Sequence, residues 1–130
     1  MSNAPKSIVQ NTPFAGLDRL GKFLGFHTRR QQVIAGNMAN IDTPGFRSRD
    51  ITFQEELSMS RDASGRTVQE MSFSEEVVIR DDETPDQDGN SVSLEHQMAR
   101  TVANQLRYAS INEMLSRKLA MLKYAARDGN

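Results

Sequence analysis

The sequence predicts a mainly α protein in which long N- and C-terminal helices pack as a coiled-coil-like hairpin around an irregular or short-β middle segment. Three observations carry this expectation. Apolar residues recur at 3–4 spacing from Leu17 to Ile41, and residues 93–127 contain neither Pro nor Gly. Between these stretches the chain has little sustained periodicity of either kind.

The N-terminal segment 1–12, MSNAPKSIVQNT, is polar and aperiodic, and is expected to be disordered before assembly. Thr12-Pro13 reads as a helix start, with Thr as the cap and Pro in the first turn. The first helix then carries Leu17, Leu20, Leu24, Ile34, Met38 and Ile41 on one stripe, with His27 and Gln31 in its middle slots. Gly21, Gly25 and Gly36 each weaken it by about 1 kcal/mol relative to Ala. Pro44 disfavours helical geometry at Thr43, and Gly45 readily takes positive φ, so the helix should end near Asn40 or Ile41.

Beyond the turn, Ile51 and Phe53 alternate as in a strand, whereas Phe53 and Leu57 fit a helical turn. Residues 58–69 read as a loop. Val77-Val78-Ile79 has strand propensity but needs a partner, and residues 81–90 form an acidic turn or loop.

Ser93 can cap the closing helix and Glu95 suits its first turn. Leu94, Met98, Val102, Leu106 and Ala109 mark one apolar line along it. Tyr108, Ile111, Leu115, Leu119, Leu122 and Ala126 mark a second, slightly rotated one. Some 35 residues of helix extend about 50 Å, which suits a hairpin or a filament better than a compact domain. A hairpin buries one line per helix, so the other should stay exposed until neighbours cover it. The chain divides accordingly into 1–12, 13–57 (first helix and turn), 58–92 (flexible acidic middle) and 93–130 (closing helix).

The 130 residues are 37% hydrophobic and only 6% aromatic, without Trp, enough for one thinly filled core. The net charge of −1 hides a partition: +2 over residues 1–56, −6 over 57–92 and +3 over 93–130. This suits complementary contacts between subunits better than the concentrated basic face of a nucleic-acid binder. With no Cys, disulfides and thiolate sites are excluded. No apolar run approaches a membrane span, and residues 1–12 lack the layout of a cleaved secretion signal, which taken alone points to the cytoplasm.

No catalytic, metal or cofactor constellation emerges. His27 and His96 lack a ligand pattern. Residues 86–97 miss a calcium loop, because Gly89 stands at position four and Gln97 at position twelve. Glu55-Glu56 and Glu75-Glu76 are adjacent pairs whose side chains diverge, so they read as solvated charge. The alternative reading is a small helical nucleic-acid-binding or regulatory protein, which Arg29, Arg30, Arg47 and Arg49 would serve.

One motif is more specific. Asn37-Met38-Ala39-Asn40-Ile41-Asp42-Thr43-Pro44-Gly45-Phe46 resembles the N-x-A-N-x-x-T-P-G-[FY] signature of flagellar rod, hook and hook-associated proteins. Residue by residue, Ala39 permits close helix approach, Asn37 and Asn40 can bond backbone near a helix end, Thr43-Pro44-Gly45 fixes a turn and Phe46 anchors it. Arg49-Asp50-Ile51-x-Phe53, Gly89-Asn90-Ser91-Val92, residues 104–108 and residues 115–124 are similar to the proximal-rod branch of that family. Ser93 and Gln97 depart from it, standing where its members usually carry acids.

The resemblance implies a non-enzymatic subunit of the proximal rod, exported through the flagellar type III apparatus without a cleaved signal peptide. It would assemble in the periplasm into a helical tube that transmits torque. Implied partners are other copies, homologous rod proteins, basal-body adaptor proteins and membrane-ring or export-gate proteins. No nucleic acid, small-molecule substrate, metal or cofactor is implied.

Overall fold

A computed structural model describes residues 7–8, 14–80 and 83–129. In chain order these form β1 (Ser7–Ile8), α1 (Ala15–Ala39), β2 (Arg49–Arg61), β3 (Thr67–Ile79) and α2 (Leu94–Asp128). Thr12 and Pro13, the expected helix start, lie outside the described residues. Phe14 takes the N-cap position of α1 with no side-chain bond. Ser93 caps α2, its hydroxyl accepting from the His96 N–H at 3.4 Å.

The helices pair antiparallel, with Asn37 beside Gln97, His27 beside Asn104, and Lys118 lying over Gly16. On α2 covered positions run through Gln97, Thr101, Asn104, Ile111, Leu115, Lys118 and Leu122, in steps of 4 and 3 except for one step of seven across the exposed Tyr108. This is a heptad seam, polar in its first half and apolar in its second. The polar half meets the polar middle of the α1 stripe at His27 and Gln31. Past Lys118, α2 continues for ten residues, about 15 Å, beyond the start of α1.

The middle of the chain overturns the mainly α expectation. Residues 49–79 are neither irregular nor short-β: two 13-residue strands pair antiparallel in one unbroken register, Arg49 opposite Ile79 through Arg61 opposite Thr67. The loop expected over 58–69 is instead the outer half of this ribbon and its turn. The partner Val77-Val78-Ile79 needed is Arg49-Asp50-Ile51. Residues 7 and 8, within the segment expected to be disordered, add to the far edge of β3 to give the order β1-β3-β2.

Opposite residues of an antiparallel pair share a face, and one ribbon face lies along α1. Phe53 packs between Phe23 and Phe26, with ring centroids 4.9 and 5.1 Å away, and Phe73 joins at 5.6 Å. Charges flank these rings: Arg19 pairs with Glu55 at 2.7 Å, Arg29 with Glu75, and Lys22 sits over the Phe73 ring. The buried apolar side chains among the described residues are Phe26, Ile34 and Ile51, of which Ile34 is fully buried; they sit where α1 meets the base of the ribbon. Among the described residues no helix is long and apolar enough to cross a membrane.

Candidate functional site

The ends of α1, the ribbon and the lead-in to α2 converge on a cluster of buried polar side chains. Asn37 is the hub. Its Oδ1 accepts from the Arg49 N–H at 3.0 Å, while its Nδ2 donates to the Arg49 carbonyl at 2.7 Å and to Gln97 Oε1 at 3.0 Å. The side-chain amide thus takes the place of a neighbouring strand for one residue of β2. Gln97 in turn donates to Ser48 Oγ at 3.0 Å and to Glu83 Oε1 at 3.3 Å.

Two turns from opposite halves of the chain lock together beside this hub. Asn40 donates to the Gly36 carbonyl at 2.8 Å and accepts from the Thr43 hydroxyl at 3.1 Å, which shapes the first turn. Asn90 closes it from outside, its Nδ2 donating to the carbonyls of Asn40, Ile41 and Thr43 at 3.0, 3.0 and 2.6 Å. Backbone bonds from Gly45 N to Asp88 O and from Ser91 N to Phe46 O, both 3.0 Å, complete the clasp. Gly45 and Gly89 both have positive φ, 72° and 79°, and a Cβ on Gly89 would lie 3.5 Å from Gly45 Cα. Glycine serves the backbone geometry and the close approach together.

Buried charges here are paired. Glu83 meets Arg100 at 2.6 Å and accepts from the Ser93 N–H at 3.2 Å. Asp50 receives two bonds from Arg30 at 2.8 and 2.7 Å, one from the Ile51 N–H at 2.8 Å, and the Arg80 guanidinium at 3.4 Å. Burial pushes the Asp50 carboxyl up, but Arg30, Ile51 and Arg80 together outweigh it and hold the group below its usual value. The Arg29 guanidinium is shifted further up by its bond to Glu75.

The motif residues divide by placement. Asn37 is buried and Asn40 and Phe46 are half-buried, whereas Ala39, Thr43, Pro44 and Gly45 are exposed. The Phe46 ring lies under the Arg49 guanidinium at 5.4 Å. Of the proposed helix faces, Leu17, Leu20 and Leu24 are half-buried, Ile34 is fully buried and Met38 is exposed. Ile111, Leu115 and Leu122 are half-buried on the seam, whereas Tyr108 and Leu119 are 42 and 50% exposed. Leu94, Met98, Val102 and Leu106 are 47, 56, 56 and 65% exposed. That line faces away from α1, and polar Gln97, Thr101 and Asn104 occupy the seam in its place.

Sequence reasoning missed Ser48, Glu83, Gln97 and Asn104 as organising residues. Continuing the heptad backwards from Lys118 and Ile111 reaches Asn104 and Gln97 at seven-residue steps, a signal that was present. Of the four arginines behind the nucleic-acid alternative, Arg29 pairs with Glu75, Arg30 with Asp50, and Arg49 lies over the Phe46 ring. Among the described residues no three His, Cys, Asp or Glu side chains cluster to hold a metal ion. The cluster's chemistry is to tie backbone segments together.

No family profile matches the chain. Individual proteins do. It is 31% identical over 119 residues to the flagellar basal body rod protein FlgB of Cereibacter sphaeroides, covering 83% of this chain and 93% of that one. It is 30% identical over 102 residues to FlgB of Bacillus subtilis (72 and 79% covered) and 29% identical over 123 residues to FlgB of Escherichia coli K12 (82 and 89%). The helix pair, the interlocked turns and these similarities define the class: a structural protein of the flagellar basal body rod. Within that class the chain belongs to the FlgB family.

Proposed function

We propose that this chain is a proximal-rod subunit, exported unfolded by the flagellar type III system without a cleaved signal peptide and assembled in the periplasm into a helical tube that transmits torque. Its neighbours are other copies and homologous rod proteins, with adaptor, membrane-ring and export-gate proteins at the base of the tube. α1 with the turn that follows it, within residues 13–57, and α2, within 93–130, supply the rod-forming elements in this reading.

The observation that carries it is the outward face of α2. At about 100° per residue, Met98, Val102 and Leu106 lie roughly 110–170° around the helix from the seam. Ala99 and Ala103, which follow Met98 and Val102 in sequence, and Ala109 border this face with small side chains. The exposed side chains of Leu94, Met98, Val102 and Leu106 form an apolar ridge that a solitary protein keeps in water at a cost of about 1.5–3 kcal/mol per large residue. Leu106 also lines an apolar cleft of about 480 Å³ with Leu20, Phe23, Ile111 and Met114, so the uncovered surface is continuous between the helices. Such a surface suits burial against neighbouring helices.

The test is Val102→Asp with Leu106→Asp. The variant is expected to keep its helicity and solubility but to be missing from purified basal bodies, leaving cells non-motile. Normal incorporation and swimming would refute the proposal.

A further inference from the structure

The open edges of the ribbon point to a second kind of contact between copies. β2 and β3 run thirteen residues without a bulge, and no Pro, Gly or Lys interrupts either strand. Bulges, Pro and Lys are among the devices that commonly blunt an exposed edge, and here only acidic and arginine side chains remain to do so. β2 is an edge strand over its whole length. On the other side, β3 is paired by β1 only at Glu70 and Met71, so among the described residues no strand covers that side from Ser72 to Ile79. Val77 and Ile79 stand exposed along that uncovered stretch.

The molecule itself shows what fits this edge. Ser7–Ile8 already adds to it antiparallel, Ser7 opposite Met71 and Ile8 opposite Glu70. Two residues of ladder are a weak hold, because their few hydrogen bonds barely offset the entropy of ordering them. The same contacts form equally well with the β3 edge of a neighbouring copy. When subunits are stacked, the neighbour's strand is held at high local concentration. Exchanging one element in this way is a low-cost route between copies, and a head-to-tail exchange that does not close on itself extends indefinitely.

We infer that the N-terminal strand Ser7–Ile8 is an exchangeable element, held on the chain's own β3 in the free subunit and on the β3 edge of an adjacent copy in the assembled rod. This rests on the rod reading above and names one contact within it.

The chain has no cysteine, so introduced pairs report cleanly. Ser7→Cys and Met71→Cys are placed on separate copies, both expressed in cells lacking the native protein, and basal bodies are purified and oxidised. Directly opposite positions on adjacent strands suit a disulfide. The expected result is a disulfide-linked dimer in basal bodies and none in the soluble fraction. Copies carrying both substitutions should give an intrachain bond when soluble and interchain bonds when assembled. Ile8→Cys with Glu70→Cys provides an independent pair should the first impair assembly. Basal bodies that contain both single variants yet give no interchain bond, while the double variant closes only within its own chain, would overturn the exchange and leave the rod reading intact. Absence of the unsubstituted chain from basal bodies would overturn both.

Discussion

The side-chain amide of Asn37 binds both backbone polar groups of Arg49, accepting from its N–H at 3.0 Å and donating to its carbonyl at 2.7 Å. The last turns of α1 are thereby joined to the first residue of the ribbon, and through Gln97 to the first turn of α2.

Replacing Asn37 with Leu removes the partner of the Arg49 N–H and carbonyl and of the buried Gln97. Each stranded group costs about 1–3 kcal/mol, so the variant should lose roughly 3 kcal/mol in urea unfolding. Asn37→Asp should be destabilised as well, since a carboxylate cannot donate to the Arg49 carbonyl or to Gln97. Unchanged unfolding midpoints would contradict the hub.

Acid should weaken the protein through Asp50. Its folded carboxyl titrates below the ordinary value of 3.8, so the folded state binds fewer protons than the unfolded chain as the pH drops. The stabilisation is fully present above pH 3.8 and is lost as the pH falls through the folded value. Asp50→Asn removes this contribution. Near neutrality it should cost about 3 kcal/mol, because Arg30 is left charged and largely buried without its partner. Its stability should then change less steeply than wild type in the acid range, which chemical denaturation at a series of pH values will reveal. Parallel curves for the two proteins would show that the pair carries no such linkage.

The two faces of α2 should respond differently to the same charge. Leu115→Asp places a carboxylate in the half-buried seam against α1 and should destabilise the isolated subunit by about 2 kcal/mol. Leu106→Asp lies on the exposed ridge and should change stability by less than about 0.5 kcal/mol while blocking incorporation into the rod. Thermal melts paired with motility assays separate the effects. Equal stability losses would mean that the ridge is covered within the chain itself.

His27 and Asn104 form a buried polar contact at 2.8 Å, and Asn104 also donates to the His27 carbonyl at 2.8 Å and to Gln31 at 3.1 Å. Asn104→Ala strands these groups and should cost about 2 kcal/mol. Leu at both positions 27 and 104 should cost less than that single change, because replacing both partners leaves fewer orphaned groups. A double variant weaker than Asn104→Ala in urea would show that the polar contact itself is net stabilising.

The helices were legible because their signals are local: an uninterrupted run over 93–127, a capping Ser93, and a Pro44-Gly45 stop. The ribbon was not, and two glutamates explain why. Ile51, Phe53, Leu57 and Met59 alternate on one face, as do Met71, Phe73, Val77 and Ile79, but Glu55 and Glu75 break each series in the middle. Both are paired with arginines of α1, Arg19 and Arg29, 36 and 46 residues away. A charge neutralised by so distant a partner looks like a solvent-facing residue in a local window. The clasp was hidden for a similar reason. The turn chemistry of residues 40–45 is written locally, but the Asn90 that caps it comes 50 residues later. The ridge on α2 was visible as an apolar line, yet its direction was not, because polar Gln97 and Asn104 hold the inner face.

The clasp also dictates an order of events during synthesis. Asn40 waits on Asn90, and Asn37 on Gln97, 60 residues downstream. A nascent chain that has emerged only as far as the ribbon can form the local bonds of that turn but lacks the Asn90 and Gln97 contacts that lock it, and contacts so far apart along the chain are slow to close. The lock is therefore completed only once Gln97 is free, which leaves any machinery that must thread the chain as a strand an interval in which to engage.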